Sequence, residues 1–277
     1  MNNILNNQRF LIVFDLDGTL LTSEKKIAPK TKSLLQKLVS LGNIVTIASG
    51  RPNRSVKEYM DELNVEEPFI SYNGSLITNP FDKSFTPIEK RIPKKNILSF
   101  LNHFGEDAFL NLMIEDGVNQ YYLRDNEEYV NFFHPQGMNL IIGSVLKNLK
   151  SDALSCVIQL KDKEQKEEMQ NYLYSIDSNM SIRYWWDSDN FGEFYFYDNN
   201  KATAILKLAE RYHIDRPHII CFGDAGNDIQ MIQTAGISFA MKNGIDELKK
   251  YATFVTKEDN DHEGIYYSLK ELFEKEI

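Results

Sequence analysis

Apolar runs and amphipathic segments alternate over the first seventy residues of the chain. Five consecutive apolar residues, Phe10–Phe14, are typical of a buried strand. Apolar residues at helical spacing predict a helix over Pro29–Leu41, and a second apolar run predicts a strand over Asn43–Ala48. A helix with Pro52 in its first turn and a short strand at Phe69–Tyr72 complete a βαβαβ order, which indicates a parallel sheet covered by helices.

The same alternation returns at the end of the chain, after a middle part of different texture. From about residue 81 to residue 198, aromatic residues and turn signals are more frequent and strands interleave with helices, which suggests an inserted α+β domain. The strands expected there are Ala108–Gly117, Gln120–Asp125, Leu154–Lys161 and Ser181–Asp187, and the helices are Pro93–Phe104 and Lys163–Tyr174. The last part predicts helices over Ala202–His213, Asn227–Gly236, Gly244–Ala252 and the C-terminal segment, and strands over His218–Gly223, Ile237–Met241 and Thr253–Thr256.

These patterns predict the fold class and the domain organisation. We expect an α/β core with a Rossmann-like, doubly wound parallel sheet, built from residues 1–81 and 198–277. An α+β cap domain at residues 82–197 is inserted between the two parts of the core. A chain of 277 residues is long enough for two such domains.

Composition and charge narrow the function classes. The formal net charge of −9 argues against nucleic acid as a partner, although a small phosphorylated ligand needs only a local basic spot. The two cysteines, Cys156 and Cys221, form neither a disulfide framework nor metal-ligand spacing, which favours a reducing compartment. The polar N-terminus resembles neither a signal peptide nor a membrane span, so we expect a cytoplasmic protein, as a monomer or a weak homo-oligomer.

The first candidate site follows the first strand, where Asp15 and Asp17 precede Gly18. In an extended chain, residues two apart point the same way and lie roughly 6–7 Å apart. That spacing suits a nucleophile and a general acid/base on either side of one phosphorus atom. The alternative is an ordinary polar turn, since Asp-Gly is a common turn dipeptide.

The second candidate site is the segment GDAGND, which follows the strand ending at Phe222. A helix starting there would place Asp224 and Asp228 on one face, with Asn227 between them. An N-cap explains the segment by itself, but four carboxylates at one sheet edge would repel each other without a counter-ion. Because the ligands are all oxygens, Mg²⁺ fits better than zinc.

Two further candidates could contact a phosphate. Ser49, in ASGR, ends a strand just before a helix, where its hydroxyl could bind a phosphate oxygen or simply cap the helix. Lys201 stands at the foot of a helix and could balance the charge of a bound phosphate, although most lysines are solvated surface residues.

In order along the chain, Asp15-Leu16-Asp17-Gly18-Thr19-Leu20, Ser49, Lys201 and Gly223–Asp228 resemble the four motifs of the haloacid dehalogenase superfamily. The segments SYNGSLI around Asn73, AGISFAMKNG and DHEGI are similar to those of its Cof-type branch, subfamily IIB. The resemblance covers both halves of the predicted core.

The resemblance implies a role for each matched position. Asp15 would be the nucleophile that becomes phosphorylated, and Asp17 would protonate the leaving alcohol and then activate the hydrolytic water. A magnesium ion would be held by Asp15, the backbone carbonyl of Asp17 and Asp224, with Asp228 in direct contact or one layer further out. The phosphoryl oxygens would be bound by a set of polar residues around them, namely Ser49, Lys201, Asn227, Asn73 and Gly50.

We therefore expect an Mg²⁺-dependent phosphatase that hydrolyses small phosphorylated metabolites through a phospho-aspartyl intermediate. Sugar phosphates come first, followed by nucleotide-like or cofactor phosphates. A phosphomutase and a non-catalytic sugar-phosphate-binding regulator are the alternatives, and the presence of Asp17 disfavours the regulator, which needs no general acid. The candidates for substrate contact in the cap are His134, Trp185, Trp186 and Asp187, although core packing or surface exposure explains each of them as well.

Overall fold

The computed structural model describes residues 9–185 and 190–273, and the chain divides into two compact units. The first, here called the core unit, comprises Met1–Ile88 and Asn200–Ile277. The second, here called the inserted unit, comprises Glu89–Asn199.

The strands and helices alternate through both parts of the core unit and interleave in the inserted unit. The strands are β1 Leu11–Phe14, β2 Ile44–Ile47, β3 Phe69–Ser71, β4 Leu76–Thr78, β5 Ile88–Glu89, β6 Phe109–Glu115, β7 Asn119–Tyr122, β8 Asn139–Ile142, β9 Ser155–Leu160, β10 Met180–Tyr184, β11 Phe191–Phe196, β12 Ile219–Gly223, β13 Ile237–Ala240 and β14 Phe254–Val255. The helices are α1 Pro29–Ser40, α2 Asn53–Leu63, α3 Lys94–Phe104, α4 Glu127–Phe132, α5 Val145–Asn148, α6 Lys166–Ile176, α7 Lys201–Tyr212, α8 Ile229–Thr234, α9 Asp246–Lys249 and α10 Gly264–Leu272.

The core unit contains a five-stranded parallel sheet in the order β14-β13-β12-β1-β2. Side chains of a strand alternate between its two faces, so β1 serves two apolar clusters. Ile12 and Phe14 belong to a cluster with residues of α1, α2 and α10, whereas Leu11 and Val13 belong to one with residues of α7 and α8. Helices therefore cover both faces, and the expected doubly wound α/β fold is confirmed.

The register of the sheet aligns the ends of its central strands. Phe14 pairs with Ile47 on one side and with Phe222 on the other. The backbone N–H of Asp15 then donates to the Phe222 carbonyl at 3.0 Å, so the residues that follow β1, β2 and β12 lie at one edge of the sheet. This is the edge at which open α/β sheets bind their ligands.

The inserted unit contains a six-stranded sheet in the order β10-β11-β9-β6-β7-β8. Its pairings are antiparallel except that of β7 with β8, which is parallel. Helices α3 and α6 pack on one face, and a smaller aromatic cluster lies apart from that core. Strands β8 and β11 and helix α4 were not expected from the sequence, and two of the expected cap residues, Trp186 and Asp187, lie outside the described residues.

Candidate active site

Three carboxylates from two neighbouring strand ends converge at the edge of the parallel sheet. Oxygen atoms of Asp15, Asp224 and Asp228 all lie within 4.8 Å of one another. Asp15 follows β1 directly, and the other two follow β12. Asp15 is 6% exposed and Asp228 is fully buried, so little water screens their mutual repulsion.

A buried lysine lies between two of these carboxylates. Lys201, the first residue of α7, is 1% exposed. Its Nζ donates to Asp15 Oδ1 at 2.5 Å and to Asp228 Oδ1 at 2.6 Å. Asn200 caps the helix by accepting from the Thr203 N–H, and this cap fixes the position of the lysine at the start of α7.

The cluster holds more negative charge than one lysine balances. Burial raises the pKa of Asp15 well above its usual range, with Lys201 opposing the rise and Asp228 and Asp224 adding to it. Burial together with Asp228 raises the pKa of Asp224 to about 7. Burial alone would lower the pKa of Lys201, but Asp15 and Asp228 raise it above its ordinary value. A bound cation is what such a group of acids needs in order to ionise fully.

The loop after β12 brings Asp224 and Asp228 together through backbone hydrogen bonds, and not through the helix that the sequence indicated. The expected helix would have stacked the two side chains, but helical structure begins only at Gly226, as a single 3₁₀ turn. Instead, Asp228 Oδ2 accepts from the backbone N–H groups of Asp224 and Ala225, both at 3.1 Å. Thr19 Oγ1 donates to Asp224 Oδ1 at 2.7 Å and so orients that carboxylate.

Gly18 leaves the space that Asp224 occupies. Its φ is +73°, a conformation that favours glycine, and a Cβ at this position would lie 2.4 Å from Asp224 Oδ2. The Gly18 carbonyl accepts from Asn243 Nδ2 at 2.7 Å, which anchors the turn to the loop after β13. The turn thus holds the first and second carboxylate motifs in contact.

The two-residue spacing of Asp15 and Asp17 had suggested that both lie in an extended chain, but Asp17 does not continue the strand. Strand β1 ends at Phe14, and a turn follows in which the Thr19 N–H donates to the Leu16 carbonyl. The Asp17 carboxylate instead pairs with two cations that the sequence did not single out, Arg51 and Lys25.

This pairing keeps the carboxylate of Asp17 ionised. Arg51 donates from Nε to Asp17 Oδ2 at 2.7 Å and from Nη2 to Oδ1 at 2.6 Å, and Lys25 Nζ donates to Oδ1 at 2.7 Å. Burial opposes ionisation, but the two cations outweigh it and lower the pKa of Asp17 to about 2.

The expected phosphate-binding residues form a second group at this edge. Asn227 Nδ2 donates to Asn73 Oδ1 at 2.9 Å, and the Asn73 N–H donates to the Ser49 carbonyl at 3.0 Å. A Cβ on Gly50 would lie 3.1 Å from Asn73 Nδ2, so the missing side chain leaves room for this amide. Asn73 has a φ of 53°, in the left-handed region that asparagine adopts more readily than most residues. Ser49 Oγ is buried and accepts from the Arg51 N–H at 3.1 Å.

Four residues of this edge were given no role by the sequence analysis. Arg51 and Lys25 contact Asp17, Thr19 contacts Asp224, and Asn243 contacts the Gly18 carbonyl. Arg51 and Asn243 lie inside quoted motifs, next to or within the matched segments, which is the signal that could have found them. Thr19 likewise lies in the first motif, whereas nothing local distinguishes Lys25 from a surface lysine. The cap candidates are in the inserted unit, where Trp185 stacks on Phe191 with ring centroids 5.0 Å apart.

The donors present fit a hard divalent cation. The side-chain ligand atoms offered by Asp15, Asp224 and Asp228 are all carboxylate oxygens, which Mg²⁺ prefers, and no histidine or cysteine joins this group among the described residues.

Each of the helices that the structure describes is too short or too polar to cross a lipid bilayer.

An α/β core with three carboxylates and a lysine gathered at the carboxyl edge of its sheet is an arrangement that can bind a phosphate ester together with a divalent cation. The chain belongs to the haloacid dehalogenase-like hydrolase family, whose model matches residues 12–269.

Individual relatives agree with this assignment. A Bacillus subtilis (strain 168) protein, 5-amino-6-(5-phospho-D-ribitylamino)uracil phosphatase YitU, is 30% identical over 271 residues, which cover 97% of this chain and 99% of the relative. A haloacid dehalogenase-like hydrolase from Bacteroides thetaiotaomicron has a similar structure, with a TM-score of 0.80, 25% identity and coverage of 96% of this chain and 100% of that chain. The structure of the HAD subclass IIB sugar phosphatase BT4131 matches in fold, with a TM-score of 0.76, 20% identity and coverage of 95% and 98%. The resemblance to the haloacid dehalogenase superfamily and the expected phosphatase class are confirmed.

Proposed function

We propose that the protein is an Mg²⁺-dependent phosphatase that hydrolyses small phosphorylated metabolites through a phospho-aspartyl intermediate on Asp15. The observation that carries this proposal is the buried cluster of Asp15, Asp224, Asp228 and Lys201 at the carboxyl edge of the sheet. A solvated turn or a helix cap would not require three acids and a lysine to be buried together.

In the first half of the reaction, a carboxylate oxygen of Asp15 attacks the phosphorus atom. The bond between phosphorus and the ester oxygen breaks as the bond to Asp15 forms. Asp17, which is ionised while it is paired with Arg51 and Lys25, takes up a proton from solvent before this step and gives it to the departing oxygen. The products of this half are the free alcohol, phosphorylated Asp15 and ionised Asp17.

In the second half, Asp17 takes a proton from a water molecule whose oxygen attacks the same phosphorus atom. The bond from phosphorus to Asp15 breaks, inorganic phosphate leaves, and both aspartates return to their starting states. A phosphomutase would instead return the phosphoryl group to a second hydroxyl of the substrate.

The remaining groups of the site bind and orient the phosphoryl group. Lys201 provides a buried positive charge next to the Asp15 carboxylate, which becomes phosphorylated in this reaction. The hydroxyl of Ser49 and the linked side-chain amides of Asn73 and Asn227 would supply hydrogen-bond donors to the phosphoryl oxygens. The absence of a side chain at Gly50 leaves room for the Asn73 amide.

Asp15, Asp224, Asp228 and the backbone carbonyl of Asp17 would hold the magnesium ion. When bound, the ion supplies charge that neutralises the phosphoryl oxygens and the neighbouring acids. The arrangement of oxygen-only donors supports this assignment.

For the substrate, we propose a small ester of the sugar-phosphate class. The name of the YitU relative describes a phosphate on a ribityl chain, so this ester stands beside the sugar phosphates as a candidate. Residues 82–197 would act as the substrate-selecting cap. We further propose that the protein acts in the cytoplasm, as a monomer or weak homo-oligomer, and that nucleic acids and membranes are not its partners.

The test is phosphate release from sugar, nucleotide and cofactor phosphates, including 5-amino-6-(5-phospho-D-ribitylamino)uracil, with Mg²⁺ or with EDTA. The wild type is compared with Asp15→Asn and with Asp246→Asn, a control whose carboxylate is 97% exposed. We expect Mg²⁺-dependent release that only Asp15→Asn abolishes. Isomerised ester without phosphate release would indicate the mutase, and binding without any turnover would indicate the regulator.

A further inference from the structure

Two linked asparagines hold both ends of the turn formed by residues 18–21. Asn243 Nδ2 donates to the Gly18 carbonyl at 2.7 Å, and Asn260 Nδ2 donates to the Leu21 carbonyl at 2.9 Å. The asparagines are joined to each other, because the Asn260 N–H donates to Asn243 Oδ1 at 3.2 Å. With a carbonyl facing its nitrogen and an N–H facing its oxygen, the Asn243 amide has one orientation that satisfies both partners.

The loop that carries Asn243 also contacts the backbone of Asp224. The Ile245 N–H donates to the Asp224 carbonyl at 2.9 Å. A Cβ at Gly244 would lie 3.1 Å from the Asp224 Cα, so the missing side chain lets the loop lie directly against that backbone. Three consecutive residues, 243–245, therefore contact both the turn after β1 and the segment after β12.

The turn held by Asn243 positions two of the oxygen donors of the proposed cation site. The Asp17 carbonyl belongs to the peptide group that joins Asp17 to Gly18, so its direction depends on the φ torsion of Gly18, which is +73°. The next residue, Thr19, donates to Asp224 Oδ1 at 2.7 Å. Because glycine rotates more freely than other residues, a turn without a restraint at Gly18 would move both donors. The hydrogen bond from Asn243 supplies that restraint.

We propose that Asn243 is a positioning residue for the divalent-cation site. By holding the Gly18 carbonyl, it keeps the carbonyl of Asp17 and the carboxylate of Asp224 in the geometry that binds the ion. This inference rests on the proposed function, in which these two groups are ligands of Mg²⁺. Asn243 is exposed and uncharged, and its Oδ1 already accepts from Asn260, so it acts through the ligands and not on the ion.

The test measures the Kd of Mg²⁺ alone by isothermal titration calorimetry. We expect Asn243→Ala to raise the Kd by about tenfold, the lower end of the effect of residues that orient metal ligands. Asn260→Ala leaves the bond from Asn243 to Gly18 in place and should raise the Kd by less than about threefold, below that range. Lys242→Ala, in the same loop, is the matched control and should leave the Kd unchanged, because the Lys242 ammonium pairs with Glu258 at 3.0 Å.

The dependence of phosphate release on Mg²⁺ separates positioning from a general loss of structure. We expect saturating Mg²⁺ to return the kcat of Asn243→Ala close to the wild-type value, because the ion, once bound, holds its own ligands in place. A merely structural defect would leave kcat low at every Mg²⁺ concentration and would lower the midpoint of urea unfolding in EDTA without changing the Kd.

A second variant keeps the proposal testable if Asn243→Ala does not fold. Asn243→Asp keeps the size of the side chain and the acceptor for Asn260 but lacks the donor for Gly18. It should also bind Mg²⁺ more weakly, although its added negative charge favours the cation. A wild-type Kd in either variant, or an equal rise in Lys242→Ala, would overturn the proposal. The proposed function fails separately, if the wild type binds Mg²⁺ but releases no phosphate from any ester.

Discussion

Lys201 Nζ lies 2.5 Å from Asp15 Oδ1, and both side chains are at least nine-tenths buried. The contact joins residues 186 positions apart in the sequence and places a positive charge beside the Asp15 carboxylate, the proposed nucleophile. Because Asp228 contacts the same lysine, the removal of this one cation leaves two buried carboxylates facing each other.

Lys201→Met should therefore affect both catalysis and stability. We expect kcat/KM to fall by about 10²–10³-fold, as for the loss of one preorganised charge, and the unfolding free energy in EDTA to fall by about 3 kcal/mol. Phosphate release and urea unfolding provide the two readouts. Lys207→Met, at an exposed position of the same helix, should change neither, and a Lys201→Met variant of wild-type activity would contradict the role given to this lysine.

Removal of the metal should destabilise the wild type and not Asp224→Asn. The pKa of Asp224 is raised to about 7 by burial first and by Asp228 next, so its ionised form weakens the metal-free fold at higher pH. At pH 8 in EDTA we expect Asp224→Asn to melt several degrees above the wild type. Mg²⁺ at 100 times its Kd should stabilise the wild type by about 2.7 kcal/mol and the variant much less. Calorimetry with and without Mg²⁺ decides the point, and equal responses of the two proteins would exclude Asp224 as a ligand.

Gly18→Ala should separate a local effect on the site from ordinary backbone strain. Gly18 and Gly42 both have positive φ, at +73° and +90°, but a Cβ meets Asp224 at the first position and nothing within 4 Å at the second. Each alanine should cost about 1 kcal/mol through its conformation. Only Gly18→Ala should also lose Mg²⁺ affinity and activity, as measured by metal titration of phosphate release. Similar activities for the two variants would mean that Asp224 tolerates the displacement.

The inserted unit offers a pH-dependent prediction at Asp116. Burial opposes its ionisation, but hydrogen bonds from Asn119, Ser151 and Val118 lower the pKa of Asp116 to about 2. The folded pKa lies below the unfolded one, so its stabilisation is complete above about pH 4 and is lost as the pH falls through 2.

Asp116→Asn should thus lower the unfolding free energy at pH 7 by about 1–3 kcal/mol, and the difference from wild type should shrink between pH 4 and pH 2. Urea unfolding across this range measures it, with the exposed Asp125→Asn as the control. A difference that persists unchanged at the lowest pH would show that the charge of Asp116 contributes nothing.

The sequence predicted those features that depend on local periodicity. The apolar run Phe10–Phe14 and the regular alternation after it were sufficient for the doubly wound core, because the strands β1, β2, β12 and β13 are buried along their whole length. In the inserted unit, β11 was missed. Gly192 interrupts its pattern, and the structure shows why a glycine is there, since a Cβ would lie 2.7 Å from Ile182 on the neighbouring strand.

What the sequence could not predict are the long-range contacts within the site. Lys201 was given little weight because most lysines are solvated, and only the folded chain shows that it is buried between two acids. The pairing of Arg51 with Asp17 joins residues 34 positions apart, and no local pattern reveals it. Asp224 and Asp228 do meet, but through backbone N–H donors and not through the stacking on a helix that their spacing indicated.

The most direct test of the central claim is the detection of a phosphoryl group on Asp15 during turnover. The enzyme is mixed with Mg²⁺ and its best ester, quenched in acid within milliseconds, digested and analysed by mass spectrometry. We expect the peptide containing Asp15 to gain the mass of one phosphoryl group, Asp15→Asn to gain none, and Asp17→Asn, which lacks the base for hydrolysis, to retain the group longer. Steady release of phosphate with that peptide unmodified at every quench time would rule out a phospho-aspartyl intermediate on Asp15.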